Sequence, residues 1–316
     1  VALQVAENLT GAELLAWRRT MLAEGGEAAS FDWLLDLAAG LSVSARQHLW
    51  LDPERSVVMR CSCEHLAGLW RRHLREHTPL QYLVRLCPWR DLELQVAPGV
   101  LIPRQETEQL VDLALELMAQ QVPDSPAHLL RWADLGTGSG CLAVALARAL
   151  PTSAGVAVDC SSAALLQARA NLLAAGVADR VDLQLGSWWS PTAACCGAFD
   201  LVVSNPPYIP SSLLDSLDPV VRLHEPWLAL DGGEDGLDAL RLIAAGAASG
   251  LAPGGWLLLE HHYDQSERVQ ALLAGAGLEQ VASFADFQGH GRFSCGRRPQ
   301  PARSSPQVSR AVSPCR

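Results

Sequence analysis

From about residue 103 onward, short apolar runs alternate with stretches whose apolar residues recur every three or four positions. Strand-like runs lie at Arg131–Leu135, Ala154–Val158, Val181–Leu185, Phe199–Val203 and Gly255–Glu260. Helical spacing covers Glu106–Gln121, Cys141–Ala149, Ala163–Ala175, Leu237–Gly250 and Ser266–Ala274. Repeated βα units of this kind need a mostly parallel sheet with helices on both faces, so the expected class is α/β. No internal repeat competes with that reading.

The first part of the chain follows another pattern. Ala12–Met21, Phe31–Ala39, Val43–Leu49 and Ser56–Leu74 carry helical spacing, broken by Gly25-Gly26, Gly40 and Asp52-Pro53. Residues 1–78 are therefore expected to form a helical-bundle domain. After Pro79 the apolar stretches become short. Leu80–Val84 and Trp89–Val96 read as extended, and Leu92 to Val96 alternates apolar and polar side chains before the turn at Pro98-Gly99. Residues 79–102 thus read as a β-hairpin linker, and 103–295 as the α/β domain. Residues 296–316, rich in Pro, Ser and Arg, read as a disordered tail.

Composition removes several chemistries. All 24 Lys+Arg residues are Arg, so neither a Walker A phosphate loop nor a lysine Schiff base is open to this chain. A net charge of -10 argues against broad attachment to nucleic acid or an anionic membrane. No apolar run nears the roughly 20 residues that span a bilayer, and Val1 to Gly11 lacks the basic-then-apolar order of a signal peptide. The nine cysteines are odd in number and include no C-x-x-C pair. Reduced cysteines in a cytoplasmic protein with no metal site are expected, with His261, His262 and His290 in structural or surface roles.

Three motifs carry chemistry. Asp134-Leu135-Gly136-Thr137-Gly138-Ser139-Gly140 follows a strand and opens a helix; its glycines allow close backbone approach to a ligand, and the helix start offers unpaired N–H groups. The spacing is not G-x-G-x-x-G, which argues against a dinucleotide. Asp159 ends the next strand, where an acid can accept hydrogen bonds from both ribose hydroxyls. Together these two favour a nucleoside-containing ligand. The third is Asn205-Pro206-Pro207-Tyr208, fed by the apolar strand Asp200–Ser204. Its prolines stiffen the loop. The Asn205 side-chain oxygen and the Pro206 carbonyl form an acceptor pair that suits an NH2 group, and Tyr208 offers a flat face to a planar amide or base.

These residues resemble the class I S-adenosylmethionine-dependent methyltransferases that act on exocyclic or amide nitrogen. More closely, the chain resembles the HemK/PrmC family of protein-(glutamine-N5) methyltransferases over roughly residues 10–295. Pro79–Leu83, Leu101–Glu108, Glu225-Pro226, Leu228–Leu237 and Asp286–Arg292 are similar to further family signatures. The resemblance implies a Rossmann-like, mostly parallel sheet preceded by a helical domain that recognises the substrate. It implies methyl transfer from S-adenosyl-L-methionine to the Gln of the Gly-Gly-Gln motif of peptide chain release factors, by a monomer. Gly136, Thr137, Gly138, Ser139 and Gly140 would cradle the cofactor, Asp159 its ribose, and Trp188 would lie beside its adenine. Asn205 would also touch the cofactor, close to the methyl donor; Asn205, Pro206 and Tyr208 would be the catalytic residues, and Asn205, Pro206, Pro207 and Tyr208 would hold the substrate amide.

Four positions depart from the family pattern. Ser187 stands where an acid precedes the tryptophan, His262 and His77 replace glycines, and Gly291 stands where an acid is common. The alternative is an N6-adenine DNA or RNA methyltransferase, because the same acceptor pair suits the exocyclic amine of a flipped base.

Overall fold

The computed structural model describes residues 7–120, 129–195 and 197–300. The chain begins with strand β1 (Glu7–Thr10) and helices α1 (Gly11–Ala23), α2 (Ala28–Ala39) and α3 (Val43–Leu51). Strand β2 (Ser56–Met59) and helix α4 (Cys63–Glu76) follow. Thr10 and Glu13 form a reciprocal capping box that starts α1, and Gly40, in the left-handed region at φ 74°, ends α2. The core of this part gathers Phe31, Leu34, Met59, Leu66 and Trp70, all fully buried.

Here the structure departs from the sequence reading. Ser56–Leu74 is not one helix. Its first residues pair antiparallel with β1, burying Val57 and Met59 and exposing Ser56 and Val58. The helix begins only after Ser62, whose hydroxyl accepts from the His65 N–H. β-branched residues and a strong N-cap override the helical spacing. Leu80–Val84 is not extended either: it is the short helix α5 (Leu80–Val84). The hairpin proper comprises β3 (Leu86–Trp89) and β4 (Leu92–Gln95). His77, where the family pattern has glycine, ends α4 at φ 54°, a left-handed conformation that glycine adopts more readily.

The remaining elements are α6 (Glu108–Ala119), β5 (Arg131–Leu135), α7 (Cys141–Ala149), β6 (Ala154–Asp159), α8 (Ser162–Ala174) and β7 (Val181–Leu185). They continue with β8 (Phe199–Ser204), α9 (Pro219–Arg222), α10 (Asp238–Gly250), β9 (Leu251–Glu260), α11 (Ser266–Gly275), β10 (Glu279–Ala285) and β11 (Gly291–Arg297). The sheet order is β10-β11-β9-β8-β5-β6-β7. The five strands β9, β8, β5, β6 and β7 run parallel, and β11 and β10 add antiparallel. The parallel strands match the expected α/β class. The antiparallel pair was not foreseen, and it takes in Gly296 and Arg297, which the sequence reading gave to the tail. Residues 301–316 of that tail lie outside the described residues.

Strand order reverses around β5, which lies between β6 and β8. In an open α/β sheet, ligands bind at such a point, beyond the carboxyl ends of the strands. The register aligns Asp134 of β5 with Val203 of β8, so the loops after both strands leave the sheet at one level. Asn171 of α8 ties the hairpin to this end: it accepts from the Gln95 N–H and donates to the carbonyls of Gln95 and Ser139. At the far end of α4, the Glu76 carbonyl meets His224 Nε2 at 2.7 Å.

Candidate active site

The loop after β5 is held from below. The N–H groups of Gly136 and Thr137 donate to the Val158 carbonyl at 2.8 and 2.9 Å. Gly136, Gly138 and Gly140 all have positive φ. At Gly140 (φ 82°), a Cβ would come within 2.9 Å of the Ala168 Cβ, so glycine permits the close packing of α7 on α8. Asp134, fully buried beneath the loop, accepts from the Thr137 hydroxyl at 2.6 Å through Oδ2, whereas its Oδ1 has no hydrogen-bond partner among the described residues. Burial pushes its carboxyl up to about 7, against the pull of Thr137.

Asp159 closes β6. Its carboxylate accepts from the N–H groups of Gly138 and Ser161, at 2.9 and 2.8 Å. Burial raises its pKa while those bonds lower it. Each oxygen keeps a lone pair for a ligand hydroxyl. Trp188 lies across from the loop, near enough that a Cβ on Gly136 would meet its ring at 3.2 Å. Its backbone is left-handed (φ 49°), rare for a bulky residue and typical of functional segments. The next residue, Trp189, anchors the segment by donating Nε1–H to the Ile243 carbonyl at 2.9 Å.

Asn205 leaves β8. Its Nδ2 donates to the Thr107 hydroxyl at 2.9 Å. Thr107 is 2% exposed and precedes α6, yet its side chain makes no capping bond to that helix. Glu260, at the end of β9, is 1% exposed. Its Oε1 accepts from the Tyr208 hydroxyl at 3.3 Å, and its Oε2 has no hydrogen-bond partner among the described residues. Burial pushes Glu260 up to about 7, while the hydroxyls of Thr107 and Tyr208 favour its charged form. Burial and the Glu260 charge push the Tyr208 phenol well above its ordinary range.

Gly136, Gly138, Asp159, Trp188, Asn205 and Pro207 line one cavity of about 350 Å³, a size typical of small-molecule sites. Thr137, Ser139, Gly140, Pro206 and Tyr208 are not among its lining residues. Thr137 serves Asp134, Ser139 offers its carbonyl to Asn171, and Gly140 opens α7. Pro206 is buried, and Tyr208 packs with the core while its hydroxyl reaches Glu260.

Other walls went unassigned in the sequence: Val100 and Leu101 on one side, Pro226, Leu228 and Ala229 on another. An ion pair links these walls. Glu225, 4% exposed, accepts from the Arg104 guanidinium at 2.7 Å and from the Ile102 N–H at 3.2 Å. Sequence reasoning also missed Thr107 and Glu260. Both lie in stretches that it named, Leu101–Glu108 and Gly255–Glu260, but neither spacing reveals that they meet.

His262, at φ -66°, has no backbone need for the family's glycine, and its ring packs on Tyr263. His261 is fully buried, with Nε2 at 2.8 Å from the Ser294 hydroxyl. Among the described residues no helix is long and apolar enough to cross a membrane.

The family model described as "Methyltransferase small domain" matches residues 105–215. The chain is 50% identical over 287 residues to a "Release factor glutamine methyltransferase" of Prochlorococcus marinus, covering 91% of this chain and 97% of that one. It is 47% identical over 262 residues to the protein of the same description from Gloeobacter violaceus, covering 82% and 87%. Among solved structures, the hMettl16 catalytic domain in complex with a MAT2A 3'UTR hairpin superposes with a TM-score of 0.52 at 14% identity, over 77% of this chain and 84% of that one, a likeness of fold alone.

Proposed function

The chain belongs to the family of release factor glutamine methyltransferases, and from that premise we propose which substrate, cofactor and residues it uses. It transfers a methyl group from S-adenosyl-L-methionine to the side-chain amide nitrogen of the Gln in the Gly-Gly-Gln loop of peptide chain release factors. It works in the cytoplasm as a monomer, with residues 1–78 gripping the release factor and the hairpin region setting the distance to the cavity.

The observation that carries this reading is the Asn205 amide. Its Nδ2 is taken by Thr107, which leaves Oδ1 as an acceptor at the cavity wall. In this reading Pro206, although buried and not itself a lining residue, adds its carbonyl as the second acceptor for the NH2 group.

The residues present fit the cofactor. At Gly138 the loop leaves open space where a side chain would stand, Asp159 retains lone pairs for ribose hydroxyls, and Trp188 supplies a flat face across from Gly136. When bound, the cofactor supplies a methyl group on a sulfonium, an excellent leaving group.

The protein supplies the rest. A primary amide nitrogen is a weak nucleophile because its lone pair is delocalised into the carbonyl. Accepting both N–H bonds orients the nitrogen toward the methyl donor. As methyl transfer builds positive charge on nitrogen, those N–H groups become more acidic and the bonds to Asn205 and Pro206 strengthen. That is binding gained chiefly in the transition state. After transfer the nitrogen gives up one proton to solvent, which leaves a neutral N-methyl amide.

Labelled methyl transfer to purified release factor tests the proposal against the same factor with Gln→Ala in its Gly-Gly-Gln loop. Label on the first alone is expected. No label on either, with cofactor still bound, overturns it and points to a nucleic-acid amine.

A further inference from the structure

An amide presents an oxygen on one side and a nitrogen of nearly equal size on the other, so shape does not decide which faces the cavity. Its hydrogen-bond partners do. For Asn205 the partner is a hydroxyl, which can both donate and accept, and which therefore does not fix the direction alone. The direction must come from further along the chain of contacts.

It comes from Glu260. The register of β8 with β9 pairs Ser204 with Leu259, placing Glu260 level with Asn205. Between them lies Thr107, withheld from the capping bond that a threonine before a helix commonly makes. The Thr107 hydroxyl accepts from Asn205 Nδ2 at 2.9 Å. Its own proton faces the Glu260 carboxylate, whose charged form the Thr107 hydroxyl favours. Above its raised pKa of about 7, Glu260 is an ionised carboxylate, which only accepts. Thr107 must then donate to Glu260, Asn205 must donate to Thr107, and Oδ1 is left toward the cavity. Tyr208, donating to Oε1, holds the carboxylate from its other side.

We propose that Glu260 and Thr107 are positioning residues that fix the direction of the Asn205 amide, so that the cavity presents an acceptor, selecting substrates that bring NH2. This rests on the reading of Asn205 as the residue that binds the substrate amide. Neither residue touches substrate; both act through Asn205.

The test combines a kinetic measurement with one that needs no substrate. The sequence holds three asparagines, Asn8, Asn171 and Asn205, so labelling with 15N-asparagine gives three side-chain NH2 signals. The Asn205 pair is assigned by its loss in Asn205→Ala. In the wild-type protein its hydrogens should exchange at least about tenfold more slowly than in Thr107→Val, where the bond is gone. Thr107→Val should also lower kcat by about 10- to 100-fold, with KM for release factor, cofactor affinity and melting temperature nearly unchanged. Thr107→Ser, which keeps the hydroxyl, should restore both readouts.

Unchanged exchange in Thr107→Val overturns the inference, as does a kcat loss that serine fails to rescue or that follows cofactor affinity. Slow exchange at Asn205, lost in Thr107→Val, combined with no methyl transfer by the wild type to any release factor, overturns the substrate reading and leaves the positioning chain standing. Should Thr107→Val fail to fold, Glu260→Gln reads the same point. It offers Thr107 a donor as well as an acceptor, so exchange at Asn205 should quicken, and no quickening overturns the inference.

Discussion

At the glycine-loop end of the cavity, Asp134 is fully buried, accepts from the Thr137 hydroxyl and leaves one oxygen unpartnered among the described residues. At the acceptor end, Glu260 is buried, faces the Thr107 hydroxyl and leaves one oxygen unpartnered as well. Burial raises both carboxyls to about 7. The ends differ in how they are assembled. Asp134, Thr137 and the glycines lie on seven consecutive residues, Asp134 to Gly140. Asn205, Thr107, Tyr208 and Glu260 come from the loop after β8, the residue before α6 and the end of β9. A contiguous loop places backbone groups around a ligand, which is a device for binding. A side-chain chain drawn from three separate parts of the sequence aims one atom, which is a device for orienting a reacting group.

If that division of labour is right, Asn205→Ala should give the largest kinetic effect and leave cofactor binding alone. Turnover should fall by about 10²- to 10³-fold, the scale seen when one preorganised polar group is lost from a transition-state site. Cofactor affinity, measured by calorimetry, should stay within about twofold. Asn205→Asp keeps an acceptor for the substrate but loses the donor to Thr107, so it should fall between the two. Near-normal turnover in Asn205→Ala, or a matching loss of cofactor affinity, breaks the division.

Next in size is a stability effect at Glu260. Its pKa is raised on folding because burial disfavours the charge, with Glu106 adding to the rise and Thr107, Tyr208 and Arg292 opposing it. A carboxyl raised in this way contributes its full stability below the unfolded value near 4.5. That contribution is lost as pH climbs through about 7. Above pH 7 the wild type thus bears a buried charge that Glu260→Gln does not. Chemical denaturation at pH 8 should show the variant more stable, by ~3 kcal/mol at most. The gain should vanish toward pH 4.5. A variant that is stabler at pH 8 and slower in methyl transfer would mark Glu260 as a residue kept for orientation at the expense of stability. A variant less stable at every pH would make it a structural residue.

The same contrast explains what could be read in advance. The parallel strands, and the meeting of the glycine loop with Asp159 at one cavity, were legible because their signals are local: an apolar run, glycines on a fixed spacing, an acid at the next strand's end. Asn205 was legible because Pro206 and Pro207 mark its loop. Thr107 and Glu260 were not, because 98 residues separate Thr107 from Asn205, and only the β8–β9 register brings Glu260 level with them. Local signals also misled. Val57 and Val58 sat within apparent helical spacing, and pairing with β1 decided in favour of a strand. The final strand pair, β10 and β11, was missed for the opposite reason: β10 has mixed burial without clean alternation, and its pairing includes register shifts.

The smallest effect concerns Trp188 and Trp189, adjacent residues that should separate binding from stability within the cofactor end itself. Trp188 lines the cavity and holds a left-handed backbone. Trp189 faces α10, so close to Gly246 and Gly250 that a Cβ on either would overlap its ring, and it bonds the Ile243 carbonyl. Trp188→Phe keeps an aromatic face but shortens it, which should weaken cofactor affinity by about 3- to 10-fold with melting temperature unchanged. Trp189→Phe loses a hydrogen bond and packed ring area, and should cost ~1–3 kcal/mol of stability with affinity nearly intact. Calorimetry and thermal unfolding on the same two variants decide the matter. If Trp189→Phe is the one that loses affinity, the aromatic wall depends on its anchoring against α10, and Trp188 alone does not define the adenine side of the cavity.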